Sequence, residues 1–429
     1  MGMTITEKIL AKAANKETVA PGDNIWVKAN VLMTHDVCGP GTIGVFKREF
    51  GEDAKVWDKE GVVIIPDHYI FTADEKCHRN VDVLREFVKE QDLPYFYDPA
   101  NETYSGVCHV TLPEKGHIRP GEVLFGTDSH TCSHGALGQF ATGIGNTDAG
   151  FVMGTGKLLI KVPQTIKFVI DGELPANVAA KDIILRVIGD LGVDGATYCA
   201  LEFAGSTIEN LSIDERITIC NMAIEAGGKN GIIAPDQKTI DFVKSKTNKE
   251  FTCFQSDEDA EYKAVYHLKA EDLVPVVAMP YSPDNKKAVS EVGDVKLDRS
   301  YIGSCTGGKI DDYIMAAEVM KGKKVVIDTY IIPATVEVEK ALNTLKNGDK
   351  SLMEIFIEAG CIIKPPSCAA CLGGPVDTHG RCNGNEVCVS TTNRNFPGRM
   401  GSMDSQTILA SPLTAAASAL TGVITAVDL

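Results

Sequence analysis

The sequence predicts an α/β protein whose sheets are mostly parallel. Short β-branched runs alternate with segments of helical periodicity along the chain. Several of those runs lead straight into polar loops, as in VVIIPDH, EVLFGTDSH, RSYIGSCTGG and EVCVSTTNRNF. In open α/β sheets ligands bind beyond the carboxyl ends of the strands, so these four loops are expected to converge on one cleft.

The first element is a surface helix in MGMTITEKILAKAANKE, opened by a capping box between Thr4 and Glu7. The same start fits the myristoylation pattern Met-Gly-x-x-x-Thr, which is common by chance. Strands are expected in VVII (62–65), EVLF (122–125), TIKFVI (165–170) and KVVIDTYII (324–332). A helix is expected in KDIILRVIGDLG (181–192), with Ile183, Ile184, Val187, Ile188 and Leu191 on one face and Gly192 ending it. Others are expected in DQKTIDFVKS (236–245), KIDDYIMAAEVMKG (309–322) and SLMEIFIEAG (351–360). The apolar tail SPLTAAASALTGVITAV reads as a buried helix rather than a membrane span, with Ser411 as N-cap, Pro412 at the first position and Gly422 past the end. One motif is set aside. GPGTIG (39–44) matches Gly-x-Gly-x-x-Gly, but Pro40 lies inside it and His35 and Asp36 leave no clean buried strand before it, so no dinucleotide site is expected.

The chain has 429 residues, 44% hydrophobic and 23% charged, which is ordinary globular composition and implies two or three domains. Composition shifts suggest boundaries near 160 and near 283. The net charge of −16 disfavours nucleic acid and anionic membranes as partners. It leaves room for an anionic small-molecule substrate, because a few local arginines outweigh a distant negative surface. The 13 cysteines are odd in number and scattered, and no apolar signal peptide precedes them, so a reducing, cytoplasmic setting is expected.

Three of those cysteines stand out: Cys305 in YIGSCTGGK, and Cys368 and Cys371 in PSCAACLGG. Three thiolates in loops rich in Gly, Ser and Pro suit a soft metal centre. Glycines after Cys305 lead into a helix whose first amides are expected to stabilise a thiolate. The alternatives are a zinc site completed by Cys361 or Cys382, or plain buried cysteines. Asp67-His68 and Asp128-Ser129-His130 each place a carboxylate beside an imidazole, an arrangement that orients the ring and prepares it to deliver a proton. His109, in SGVCHVTLPEKG, is a candidate to join them. Arg394 and Arg399 flank a Phe-Pro-Gly turn, and two guanidinium forks suit a dicarboxylate. Asn221 and Glu225 stand four apart on one helix face, within reach of a bound ligand or metal-bound water.

Taken in order, THDVCGPG, PDH, GVCHV, GTDSHT, ICNMAIEAG, GSCTGGK, PSCAACLGG, STTNRNFPGRMG and ASPLTAAASALTG make the chain resemble the aconitase superfamily over essentially its whole length. The resemblance implies three α/β domains, 1–161, 162–283 and 284–429, around one [4Fe–4S] cluster. Cys305, Cys368 and Cys371 would ligate three irons, leaving the fourth open to substrate. Asp67 and His68 would protonate a departing hydroxyl. His109, Asp128, Ser129 and His130 would line the site, Glu225 and Asn221 would meet the iron-bound water, Asn393 would approach the cluster, and Arg394 and Arg399 would hold substrate carboxylate. The implied activity is a hydro-lyase acting on a hydroxy-dicarboxylate. In single-chain members a fourth, swivelling domain supplies a serine base and further arginines. This chain ends soon after ALTG, so a separate small subunit is the expected partner. Two departures stand out: Gly307 replaces an asparagine common after Ser-Cys-Thr, and THDVCGPG lacks the glutamine of aconitases, which weakens a citrate assignment. Other classes are an iron-responsive RNA-binding protein and a zinc-stabilised structural protein.

Overall fold

The computed structural model describes residues 2–428. The chain forms two compact units. The first comprises residues up to Tyr104, Thr111–Asp171 and Ala196–Leu268, and the second comprises Ser105–Val110, Gly172–Gly195 and residues from Lys269 onward.

In the first unit a five-stranded sheet has the order Tyr95–Phe96, Val62–Ile64, Val31–Thr34, Val123–Gly126, Phe140–Gly143. All its pairings are parallel. The three central strands are buried at every position, as parallel strands covered on both faces require. Helices Gly39–Phe50, Glu75–Gln91 and Asn146–Thr155 accompany this sheet, and Phe46, Leu84, Phe87, Val152 and Met153 share its core. The helix Ile5–Ala13 forms the expected capping box, but it is a core element rather than a surface one, since Ile5, Ile9, Leu10 and Ala11 are buried. A second, four-stranded sheet runs Asn230–Ile233, Ala200–Ala204, Thr165–Asp171, Ala264–Lys269, with its first three strands parallel.

The second unit is built on a seven-stranded sheet: Lys286–Ala288, Val276–Ala278, Gln406–Leu409, Val387–Ser390, Arg299–Gly303, Asp328–Ile332, Ile362–Ile363. Its last five strands are mutually parallel and its first two are antiparallel. Helices Ile310–Met320, Leu352–Ala359 and Pro412–Thr421 supply Tyr313, Met320, Phe356 and Leu413 to its core. Ser411 caps the last helix and Gly422 ends it in the left-handed region, φ 78°, as the sequence indicates.

Two local expectations fail. Residues 324–327 are not strand: the Val325 and Val326 amides bond to the Ala359 and Ala419 carbonyls near helix ends, so the strand begins only at Asp328. GPGTIG does follow a buried strand, Val31–Thr34, and Gly39 opens a helix. His35 and Asp36 had masked that strand because they are buried despite their polarity.

The polar motifs follow parallel strands in both units. His35 and Asp36, Asp67 and His68, and Asp128 to His130 lie past the carboxyl ends of three neighbouring strands of the five-stranded sheet. Cys305, Cys368 and Asn393 likewise follow strands of the seven-stranded sheet. This is the side of a parallel sheet where ligands bind.

Two glycines test the packing. A Cβ on Gly135 would lie 1.7 Å from the Gly231 carbonyl, whereas one on Gly44, within the helix Gly39–Phe50, meets nothing within 4 Å. Gly135→Ala is expected to lose stability by at least the ~1–3 kcal/mol of ordinary overpacking. Gly44→Ala is expected to gain about 1 kcal/mol from helix propensity. Urea unfolding of the two variants checks both signs.

Candidate active site

The candidate acid–base residues Asp67 and His68 of the first unit are organised by one carboxylate. Asp36 Oδ1 accepts the amides of Asp67 at 2.9 Å and His68 at 3.1 Å, and its Oδ2 accepts the Tyr69 amide at 2.7 Å. These bonds fold the PDH loop so that the Asp67 carboxylate meets His68 Nδ1 at 2.6 Å. Both residues are buried. Burial opposes protonation of His68, but the charge and hydrogen bond of Asp67, with the charges of Asp36 and Asp128, outweigh it and carry the pKa up to about 10. His35 stacks against His68 with ring centroids 4.6 Å apart. Burial, then the charge of His68, holds the pKa of His35 down.

Asp128 and His130 form a second pair. Asp128 Oδ1 accepts the His130 amide at 2.7 Å and lies 3.4 Å from its Nδ1. On the other side of the ring, His130 Nε2 is 2.7 Å from Glu225 Oε1. Asn221 Nδ2 donates to Ser133 Oγ at 2.8 Å, and Ser133 Oγ donates to the His130 carbonyl at 2.5 Å. The helix Ile213–Asn221 ends at Asn221 and tightens into a 3-10 turn over Met222–Ala226. Asn221 and Glu225 are therefore not four apart on a regular helix. Both are buried, and both reach the 3-10 segment Ser129–Leu137 that carries His130.

In the second unit Cys305, Cys368 and Cys371 pack together with Val107, Val110 and Ala334. They are 1%, 4% and 3% exposed, so the pocket is dry. Hydrogen bonds with the Cys305 and Cys371 thiols, then burial, push the Cys368 thiol well up, so the sulfurs are close neighbours. Asn393 bridges two of them: its Nδ2 donates to Cys305 Sγ at 3.3 Å and its Oδ1 accepts from Cys371 Sγ at 3.3 Å. Ser304 holds a left-handed backbone at φ 70° and places its hydroxyl 3.7 Å from both Cys305 and Cys368 sulfurs. A non-glycine residue strained in this way beside a reactive group is characteristic of functional sites. Three soft donors in a dry pocket fit iron or another soft metal centre. Neither alternative fourth ligand joins them: Cys361 packs beside Met320, and Cys382 hydrogen-bonds Cys388.

His109 is buried in the second unit between Val107 and Val110, which touch the cysteine pocket. Arg394 and Arg399 are half-buried in the loop after strand Val387–Ser390, and the Asn395 amide anchors that loop to the Ala278 and Met279 carbonyls at 3.2 and 2.8 Å. The helix after Cys305 begins only at Ile310, and Asp312 takes the Lys309 amide at 2.9 Å, so that amide does not serve a thiolate. Gly307 is fitted to its place, because a Cβ there would lie 2.1 Å from the Thr391 side chain.

Sequence reasoning gave no role to Asp36, whose motif was visible but whose three amide bonds depend on a loop 31–33 residues away. It also passed over Lys181, which is fully buried with its Nζ 3.1 Å from Thr306 Oγ1 and 2.9 and 2.7 Å from the Thr391 and Thr392 carbonyls. Burial draws the pKa of Lys181 down to about 7, against the opposing pull of Cys305 and Cys371. The one available signal was a lysine in the first turn of a helix, where the dipole disfavours a cation.

A model of the aconitase family (aconitate hydratase) matches residues 7–295 and 285–422. The chain is 59% identical over 434 residues to the 3-isopropylmalate dehydratase large subunit, chloroplastic, of Arabidopsis thaliana, covering 98% of this chain and 85% of that one. It is 47% identical to 3-isopropylmalate dehydratase large subunit 1 of Methanopyrus kandleri, with 99% of each chain covered. It is 46% identical to the probable 3-isopropylmalate dehydratase large subunit of Methanothermobacter thermautotrophicus, again over 99% of each. Among solved structures, aconitase X of Thermococcus kodakaraensis in its holo form matches with a TM-score of 0.51 over 99% of this chain and 92% of that chain, at 14% identity, a likeness of fold alone. The chain belongs to the aconitase family.

Proposed function

We propose that this chain is the large, catalytic subunit of a 3-isopropylmalate dehydratase, a hydro-lyase that interconverts 2- and 3-isopropylmalate in leucine biosynthesis. The observation that carries this is the dry pocket of Cys305, Cys368 and Cys371 bridged by Asn393, in a chain whose relatives bear that name. The pocket would hold one [4Fe–4S] cluster through its three sulfurs. When bound, the cluster supplies an open iron that acts as a Lewis acid on the leaving hydroxyl.

The chain's own residues supply the rest. Asp67 keeps His68 protonated and oriented, so His68 holds the proton that the departing hydroxyl takes. His130, held between Asp128 and Glu225, orders the proton network with Ser129, and Asn221 fixes the segment on which His130 sits, while His109 serves beside the cysteine pocket. Arg394 and Arg399 bind substrate carboxylate. A separate small subunit, in keeping with the "large subunit" names of the relatives, supplies the base and further arginines in a heterodimer. A division into three domains, 1–161, 162–283 and 284–429, belongs to this reading: the five-, four- and seven-stranded sheets follow one another along the chain, although Val276–Ala278 already belongs to the third sheet. The 13 cysteines are odd in number and scattered along the chain, which supports a reducing, cytoplasmic setting. Among the described residues no helix is long and apolar enough to cross a membrane.

The direct test is turnover of 3-isopropylmalate by anaerobically prepared chain, alone and with a candidate small subunit. Turnover only with both is expected, and robust turnover by the chain alone would defeat the two-subunit scheme. His68→Ala is expected to lower kcat about 10²–10⁴-fold. Arg394→Lys, which removes the bidentate fork, is expected to raise KM about 10- to 100-fold.

A pH profile separates the role of Asp67. The pKa of His68 is raised, so its proton is present at neutral pH and is lost as pH rises through about 10. Dehydration by the wild type is therefore expected to persist through neutrality and to fall only on the alkaline side. In Asp67→Asn the fall moves toward the ordinary imidazole value of about 6.5. The same pair contributes stability below pH ~6.5 that disappears as pH rises through the folded-state value.

A further inference from the structure

Among the described residues, Lys181 and Lys309 are the two lysines enclosed by the protein. Lys309 has a carboxylate partner, with its Nζ 2.8 Å from Asp312. Lys181 makes its hydrogen bonds to oxygens that carry no charge. Its Nζ lies 2.7 Å from the Thr392 carbonyl, 2.9 Å from the Thr391 carbonyl and 3.1 Å from Thr306 Oγ1. Carbonyl oxygens only accept. The Thr306 hydroxyl donates its proton to the Thr391 carbonyl at 2.8 Å, so toward the lysine it too accepts. Three acceptors require three N–H donors, which only the ammonium form has.

That ammonium is placed against every local preference. It sits in the first turn of the helix Ala180–Leu191, where the helix dipole opposes a cation. Its neighbour Asp182 is committed elsewhere, accepting the Ala179 and Val276 amides at 2.9 and 3.0 Å. Asp312 is matched by Lys309. A buried cation whose direct contacts are all neutral depends on charges beyond them. Asp182 and Asp312 act on it with the opposite sign, but the largest such effect comes from the Cys305 sulfur, and the Cys371 sulfur adds to it. Its three partners are also the residues that frame those sulfurs: Thr306 follows Cys305, and Thr391 and Thr392 lead into Asn393, which bridges Cys305 and Cys371.

We propose that Lys181 is the built-in counter-cation of the anionic group that Cys305, Cys368 and Cys371 hold, and the positioning residue that ties the Cys305 loop to the Asn393 loop around it. The proposal rests on the cluster assigned above, since a cluster on three thiolates is a net anion. The chemistry it serves is charge compensation in a dry pocket, where no solvent ion can do the same.

The test is the midpoint potential of the loaded chain, followed by electron paramagnetic resonance during a dithionite titration. Lys181→Gln and Lys181→Met are expected to shift the potential to more negative values, because losing a nearby positive charge disfavours the added electron. Lys181→Arg, which keeps the charge, is expected to stay near the wild type. An unshifted potential in folded, cluster-bearing Lys181→Gln or Lys181→Met overturns the proposal. If neither neutral variant folds, the ¹⁵N chemical shift of Lys181 in loaded wild type, assigned against Lys181→Arg, decides: an ammonium shift is expected, and an amine shift overturns it. Wild type that takes up neither iron nor sulfide would instead overturn the proposed function on which this rests.

Discussion

Desolvation is the constraint on which the candidate residues of each unit depend. Asp36, Asp67, His68, His130, Glu225 and Lys181 are all buried, and a buried charge is tolerated only where partners replace the lost water. Each of them shows such partners. Asp36 is taken up by three backbone amides, Asp67 by His68, Glu225 by His130 and Lys181 by three oxygens. The same burial that makes these groups costly also makes them strong. In a dry setting the Asp67 carboxylate is able to hold a proton on His68 well above the ordinary imidazole range.

Parallel strands satisfy this constraint economically. Their carboxyl ends bring consecutive loops side by side, so a residue on one loop can hold the backbone of the next. Asp36 does this for the PDH loop, and the Thr34 and Thr127 hydroxyls, 2.9 Å apart, tie two neighbouring strand ends together. In the second unit Thr391 Oγ1 accepts the Gly303 amide at 2.9 Å, which fixes the strand leading to Cys305 against the loop that carries Asn393. The space at Gly307 is filled by that same Thr391, so the glycine belongs to the packing of the cysteine loop. Loops fixed in this way can keep a buried proton donor and a set of sulfur ligands each in one place.

Much of this was legible in the sequence because it is local. The capping box of Thr4 and Glu7, the Ser411 cap and the Gly192 and Gly422 stops each depend on residues a few positions apart, and each formed. The strand-to-polar-loop pattern located Asp67, His68, Asp128, His130 and Cys305 for the same reason. What was not legible depends on distant partners. KVVI (324–327) has strand propensity, but its amides are claimed by helix ends at Ala359 and Ala419. Asn221 and Glu225 carry no local sign that their helix tightens to meet the segment with His130. Lys181 looks like an ordinary helix lysine until the loops at 306 and 391–392 close over it.

The central claim is that three cysteines hold a cluster whose fourth iron is open. Iron and acid-labile sulfide in anaerobically purified wild type, measured beside Cys305→Ser, test it most directly. The account predicts about three to four of each per chain in the wild type and their loss in the variant. Zinc in their place, or an iron content untouched by the loss of Cys305, would contradict it and return the three cysteines to a structural role.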